Sequence, residues 1–143
     1  MKAEIIPTLY ATSKRMFDEK FVKLVPICKK LQIDFMDGHF VTKHSIKLAI
    51  IPSLRDYDIE FEAHLMTEHP RTWIKRLKNK GFSKVIFHYA AMDFDEEATK
   101  ELINDIHKLD MTAFVAIDPN VREDEIFEIL PYCDGILIMG VHP

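Results

Sequence analysis

A carboxylate and an imidazole sit at matching places in two short apolar segments, Leu31-Gln32-Ile33-Asp34-Phe35-Met36 and Phe61-Glu62-Ala63-His64-Leu65-Met66. In the first, Leu31, Ile33 and Phe35 fall on one face at period two, and Gln32, Asp34 and Met36 on the other. In the second, Phe61, Ala63 and Leu65 stand opposite Glu62, His64 and Met66. A charge on a buried strand is expensive unless it is paired, bound to a metal or used in catalysis, so Asp34 marks a candidate active centre. If the two strands are parallel and in register, Asp34 and His64 point the same way, each followed two residues later by a methionine. A carboxylate beside an imidazole can bind a divalent cation or move a proton. Met36 and Met66 would then form a dry, polarizable wall.

The elements that must position these groups alternate along the chain. Strands are expected over residues 5–9, 31–36, 59–66, 84–88, 112–117 and 136–139. Helices are expected over 13–30 (interrupted by Pro26), 70–80 (opened by Pro70 and stopped by Gly81), 93–109 and 122–130, with a short helical segment within 46–55. Strands alternating with helices imply an α/β fold with a parallel sheet. Two architectures compete, an open doubly wound sheet and a TIM-type (β/α)8 barrel. The first strand ends in Pro7-Thr8-Leu9-Tyr10-Ala11 with no glycine-rich turn, and the chain has only four glycines, so a dinucleotide or phosphate loop is not expected. Polar groups gather instead near the C-terminal ends of the strands, at Thr8, Asp34, His64, His88 and Asp118, where barrel enzymes place their chemistry. The expectation is one domain, residues 1–143, forming about the first six β/α units of such a barrel.

Composition narrows the function. The net charge is −4, with 48% hydrophobic and 29% charged residues, which fits a globular protein and argues against nucleic acid or an anionic membrane as partner. The basic residues between Arg71 and Lys80 read as the solvated face of a helix. Cys28 and Cys133 lie far apart with no CxxC pair, so reduced thiols are expected rather than a disulfide or zinc-thiolate site. No signal-peptide core and no membrane-length apolar run is present, and the cytoplasm is the expected compartment.

At this point the chain resembles the ribulose-phosphate 3-epimerase family. The pieces that carry the resemblance are Ile6-Pro7-Thr8-Leu9, Asp34-Phe35-Met36-Asp37-Gly38-His39-Phe40-Val41, Ala63-His64-Leu65-Met66, Phe87-His88, Asp118-Pro119 and Leu137-Ile138-Met139-Gly140-Val141-His142-Pro143. They come in family order and cover essentially the whole chain. The Met36-Asp37-Gly38-His39-Phe40 and His64-Leu65-Met66 pieces are the specific ones. The resemblance implies a (β/α)8 barrel that interconverts D-ribulose 5-phosphate and D-xylulose 5-phosphate. One Asp would remove the C3 proton to give an enediolate, a second on the opposite face would return a proton, and a divalent metal (Zn, Fe, Mn or Co, one per site) would stabilise the enediolate oxygens.

By the same resemblance Asp34 would be the first acid/base group and a metal ligand. His64 would be a metal ligand beside the substrate. Thr8 would replace a substrate-contacting Ser, and Met36, Met66 and Met139 would line the site. Gln32 stands where the family has a metal-binding His, and an amide oxygen is the poorer ligand. Asp118 stands in place of Asn, and His142 in place of Asn or Asp. By the resemblance the second catalytic Asp belongs to a seventh strand, and the phosphate-binding amides follow the sixth, seventh and eighth. The expectations that follow are a truncated family member with little or no epimerase activity alone, and exposed edges on the first and sixth strands. A homo-oligomer is expected, with a sugar phosphate as the small-molecule partner. A non-catalytic or oligomer-complemented relative and a ketohexose-6-phosphate 3-epimerase are the alternatives. Other residues have plainer readings. Asp37 and His39 would serve the loop after the second strand. His44, His69 and His107 would be surface or capping residues. His88 could reach the site or be a hydrogen-bonded structural group, and Glu62 would face inward and pair with a cation.

Overall fold

The computed structural model describes residues 3–143. Six strands make one sheet: β1 (Thr8–Leu9), β2 (Lys30–Met36), β3 (Glu60–Met66), β4 (Lys84–His88), β5 (Thr112–Ile117) and β6 (Gly135–Ile138). Their order in space is their order in sequence, and each neighbouring pair is parallel. A doubly wound sheet reverses its strand order at a switch point. This sheet never reverses, so every connection advances in one sense, and of the two architectures it is the barrel type.

Three of the five connections carry α-helices: α1 (Lys14–Leu24) after β1, α2 (Ile74–Lys80) after β3 and α3 (Glu96–His107) after β4. Ser13 caps α1 by accepting the Met16 N–H at 3.2 Å. Pro26 ends that helix early, and Val25–Ile27 is a single 3-10 turn before β2 begins. Pro70 opens a 3-10 turn, Pro70–Thr72, and α2 proper starts at Ile74. Gly81 closes α2 in the left-handed region at φ 110°, where a Cβ would lie 3.0 Å from the Arg55 backbone nitrogen. Asp95 caps α3 through the Ala98 N–H at 2.7 Å, and the helix starts three residues later than expected because Tyr89–Met92 forms a 3-10 turn of its own.

Two expected helical segments are not α-helices. Residues 46–55 form turns. Ile46, Leu48, Ile51 and Leu54 are buried at steps of two and three while Ile50 is exposed, too uneven for a helical stripe, and Pro52 denies the backbone an N–H donor. Within 122–130 only Glu123–Ile126 is helical, as a 3-10 turn, and turns follow. β1 is also shorter than residues 5–9. Pro7 cannot donate to the ladder, though its carbonyl still accepts the Gln32 N–H at 3.0 Å.

The period-two pattern sorts the sheet. Leu9, Leu31, Ile33, Phe35, Phe61, Ala63, Leu65, Val85, Phe87, Ala113, Val115 and Ile117 pack with Phe17 of α1, Leu77 of α2 and Leu102 and Ile106 of α3 in one core. Each large side chain fully buried there contributes about 1.5–3 kcal/mol. The opposite face carries the polar groups. Low on that face Glu62, 3% exposed, meets Lys84, with Nζ 2.6 Å from Oε1, and the Lys84 ammonium lies 4.2 Å from the Phe114 ring centre. The inward Glu62 thus has its cation. Cys28 and Cys133 are free thiols. Among the described residues no helix is long and apolar enough to cross a membrane.

Candidate active site

The register of β2 against β3 builds the site. Asp34 is paired with His64, and Met36 with Met66, so the two matching places of the sequence are neighbours in space. Asp34 Oδ1 lies 3.1 Å from His64 Nδ1, with the Asp34 and His64 side chains 16% and 5% exposed. Gln32 reaches the same spot from one layer below: its amide N–H donates to Asp34 Oδ1 at 3.1 Å and its nitrogen lies 3.5 Å from His64 Nδ1. β4 adds a group that the sequence left undecided. His88 Nε2 lies 2.9 Å from His64 Nε2, and the two rings stack with centres 5.1 Å apart and planes 20° from parallel.

His88 is fully buried, with the Phe40 ring centre 5.1 Å away. Burial, and to a lesser degree the charge it would face on His64, push its pKa down from 6.5 to about 3, against the pull of Asp34. The imidazole of His88 is therefore neutral at physiological pH. On its far side His88 Nδ1 faces Asp118 Oδ1 at 3.6 Å, beyond hydrogen-bond reach, and both atoms are buried without a partner. The polar residues at the ends of β2, β3, β4 and β5 thus form a continuous line: Gln32, Asp34, His64, His88, Asp118.

The loop after β2 is held by Asp37. Its Oδ1 accepts the N–H groups of His39 and Phe40, each at 2.9 Å, and its Oδ2 accepts that of Glu68 at 2.7 Å. Burial opposes the charge, but these three donors prevail and hold the carboxyl below the usual range. Asp37 therefore ties the β2 and β3 loops together. His107 pairs with Asp134 at 2.8 Å, also away from the site. Thr8 lies beside Gln32 in the β1–β2 register. Met36 is half-buried and Met66 is buried, one step above Asp34 and His64. Met139 follows β6, three strands from β3, with its N–H donating to the Ile117 carbonyl at 3.1 Å.

Among the described residues no three His, Cys, Asp or Glu side chains form a group able to hold a metal ion. Asp34 and His64 supply two donors, and the third of this cluster is the Gln32 amide, which presents its nitrogen. His88 turns its near nitrogen to His64 rather than to Asp34.

A family model described as the ribulose-phosphate 3 epimerase family matches residues 4–143, which takes in every residue of this line. The chain belongs to that family. It is 33% identical over 141 residues to a ribulose-phosphate 3-epimerase of Mycobacterium leprae, covering 97% of this chain and 60% of that protein. It is 32% identical over 114 residues to one of Chlamydia pneumoniae, covering 79% of this chain and 48% of that protein. With one of Eremothecium gossypii it shares 34% identity over 128 residues, 79% of this chain and 51% of that protein. The chain spans about half the length of the curated epimerases it matches. The six-stranded, sequentially ordered sheet is the portion of the epimerase barrel that these residues build.

Proposed function

We propose that this chain carries the first half of the active site of a sugar-phosphate 3-epimerase, an isomerase acting on D-ribulose 5-phosphate and D-xylulose 5-phosphate, in one barrel-type domain. The observation that carries the reading is the inward pair of Asp34 and His64, 3.1 Å apart at the C-terminal side of adjacent strands. Asp34 is the base that takes the C3 proton. It keeps some solvent access, which lets that proton exchange, and the Gln32 N–H fixes the rotation of its carboxylate. Met36 and Met66 cover the reacting carbon and limit water, and Thr8 offers a hydroxyl at the edge of the site.

The reading includes a divalent cation, for which Asp34 and His64 offer two donors and no third His, Cys, Asp or Glu joins them among the described residues. A carboxylate oxygen and an imidazole nitrogen converge on one point, and Gln32 can add its amide oxygen by turning the amide over. Asp34, His64 and Gln32 would hold the ion, with zinc, iron, manganese and cobalt all compatible with this mixed oxygen and nitrogen set. When bound, it supplies positive charge against the negative charge that develops on the substrate oxygens as the proton leaves. The buried line behind His64 fixes that ring in place.

Proton exchange tests the reading without requiring full turnover, because one base washes out the proton on its own face. The 143-residue chain, loaded with Mn2+ or Zn2+ in D2O, is expected to exchange the C3 hydrogen of ribulose 5-phosphate while forming little xylulose 5-phosphate. Asp34→Asn, verified as folded, is expected to abolish that exchange. Exchange that survives in Asp34→Asn, or none in the parent chain, removes Asp34 from the role.

A further inference from the structure

The segment between β3 and β4 is strongly basic. Residues 71–80 hold five cations, Arg71, Lys75, Arg76, Lys78 and Lys80, and no carboxylate, in a chain whose net charge is −4. Within it α2 buries Ile74 and Leu77 and leaves Lys75 and Arg76 exposed. Lys75 and Lys78 stand three residues apart and Arg76 and Lys80 four, spacings at which like charges repel along a helix. Only Arg71 finds acids, Asp105 at 2.8 Å and Glu101 at 3.3 Å, both on α3. Among the described residues the other four form no ion pair.

These cations border a groove. A cavity of about 490 Å3 lies between α2 and α3, with Ile74 and Leu109 as its apolar floor and Arg71, Lys75 and Lys108 at its exposed rim. Asp105 also lines it, but that carboxylate is already shared between Arg71 at 2.8 Å and Lys108 at 3.4 Å. A positive rim over an apolar floor fits an apolar side chain flanked by acids.

The chain itself carries such a segment, Asp93-Phe94-Asp95-Glu96-Glu97. Phe94 is 50% exposed, with its ring edge-on to Tyr89 at 5.4 Å. Asp95 is committed to the Ala98 N–H and Glu97 to Lys100 at 3.1 Å, while Asp93 and Glu96 form no ion pair among the described residues. A chain does not fill its own groove with this segment. Phe94 precedes the first turn of α3, and Asp105, Lys108 and Leu109 lie at the far end of that helix, about 15–20 Å away at 1.5 Å per residue. The complementary segment must come from another molecule.

We propose that the α2–α3 groove is a contact surface for a second copy of this chain, which sets Phe94 over Ile74 and Leu109 and brings Asp93 and Glu96 to Lys75 and the cations beside it. The two halves of the contact are different patches, so it is heterologous, and it closes into a ring or runs on according to its rotation. It is independent of the reading of Asp34 and His64. Pairing through the edges of β1 or β6 uses neither Lys75 nor Phe94 and would survive their substitution.

The test is sedimentation of the whole chain, the exposed charge reversal Lys75→Glu, the anchor removal Phe94→Ser, and Glu96→Lys as a second change on the acidic side. Circular dichroism verifies that each is folded. The parent is expected to associate with rising concentration in about 10 mM salt, where charges act over about 30 Å, and much less in about 1 M salt, where they act over about 3 Å. Lys75→Glu, Phe94→Ser and Glu96→Lys are each expected to weaken association, the first about tenfold or more because it sets like charges together. Mixing Lys75→Glu with Phe94→Ser is expected to restore part of it, since the first still presents an intact Phe94 segment and the second an intact groove. A parent that stays monomeric overturns the inference. So does parent-like association of Lys75→Glu, or of both acidic-side variants, and so does a mixture that associates no better than its components.

Discussion

Replacing Lys84 by methionine tests whether the inward face of the sheet is as enclosed as its geometry indicates. Lys84 Nζ lies 2.6 Å from Glu62 Oε1, with the two side chains 15% and 4% exposed. At an effective dielectric of about 20, two unit charges at this distance attract by roughly 6 kcal/mol before the loss of hydration is subtracted. Lys84→Met removes the attraction and leaves the Glu62 carboxylate buried without a counter-charge. Breaking such a pair from one side costs about 3–5 kcal/mol. The residual exposure of Lys84 favours the lower end of that range. Loss of the ammonium from the Phe114 ring, 4.2 Å from its centre, adds about 0.5–1 kcal/mol. The expected loss is about 3–4 kcal/mol.

The double variant Glu62→Leu with Lys84→Met is expected to return to within about 1 kcal/mol of the parent, since apolar replacement of a whole buried pair is nearly neutral. Urea unfolding at pH 7 measures both, followed by the fluorescence of Trp73, the one tryptophan of the chain, whose ring packs 5.4 Å from that of Phe35. A loss under about 1 kcal/mol for Lys84→Met, or a double variant no more stable than the single, refutes the burial argument.

Two further outcomes are expected. His88 has a folded pKa of about 3 against 6.5 unfolded, so the unfolded chain binds the proton more readily. The stability contribution of neutral His88 is complete above pH 6.5 and is lost as pH falls from there toward 3, a change on the order of 5 kcal/mol in the cation-free chain. Urea unfolding at pH 7, 5.5 and 4.5 should show this fall, and His88→Phe should flatten it; an unchanged slope in that variant removes His88 as the cause. Association through the sheet edges is the other. β1 and β6 are the outer strands of the sheet, and Ile138 and Val141 beside β6 are 76% and 72% exposed, so light scattering at micromolar concentration is expected to give a dimer or larger. A monomer at every concentration tested contradicts the homo-oligomer.

Much of the site was legible because strand periodicity is local. Alternation alone put Gln32, Asp34 and Met36 on one face and Glu62, His64 and Met66 on another, and β2 and β3 carry them so. The stop at Gly81 was equally local, and the structure keeps it. The short helical segment expected within 46–55 and the helix expected over 122–130 are not α-helical, because helix formation in short segments depends on packing that periodicity does not report. Residues 46–55 bury Ile46, Leu48, Ile51 and Leu54 without an α-helix.

The sequence by itself determined which faces are apolar, which residue types reach the inner face, and the family to which the pattern belongs, since these depend on spacing along the backbone. Only the tertiary structure decided that Gln32 turns its amide N–H to Asp34, that His64 meets His88 at 2.9 Å, and that His88 and Asp118 are left 3.6 Å apart, beyond hydrogen-bond reach. Those facts depend on the stagger of neighbouring strands and on side-chain reach across the sheet, which bring together residues 24 and 30 positions apart that no local rule connects.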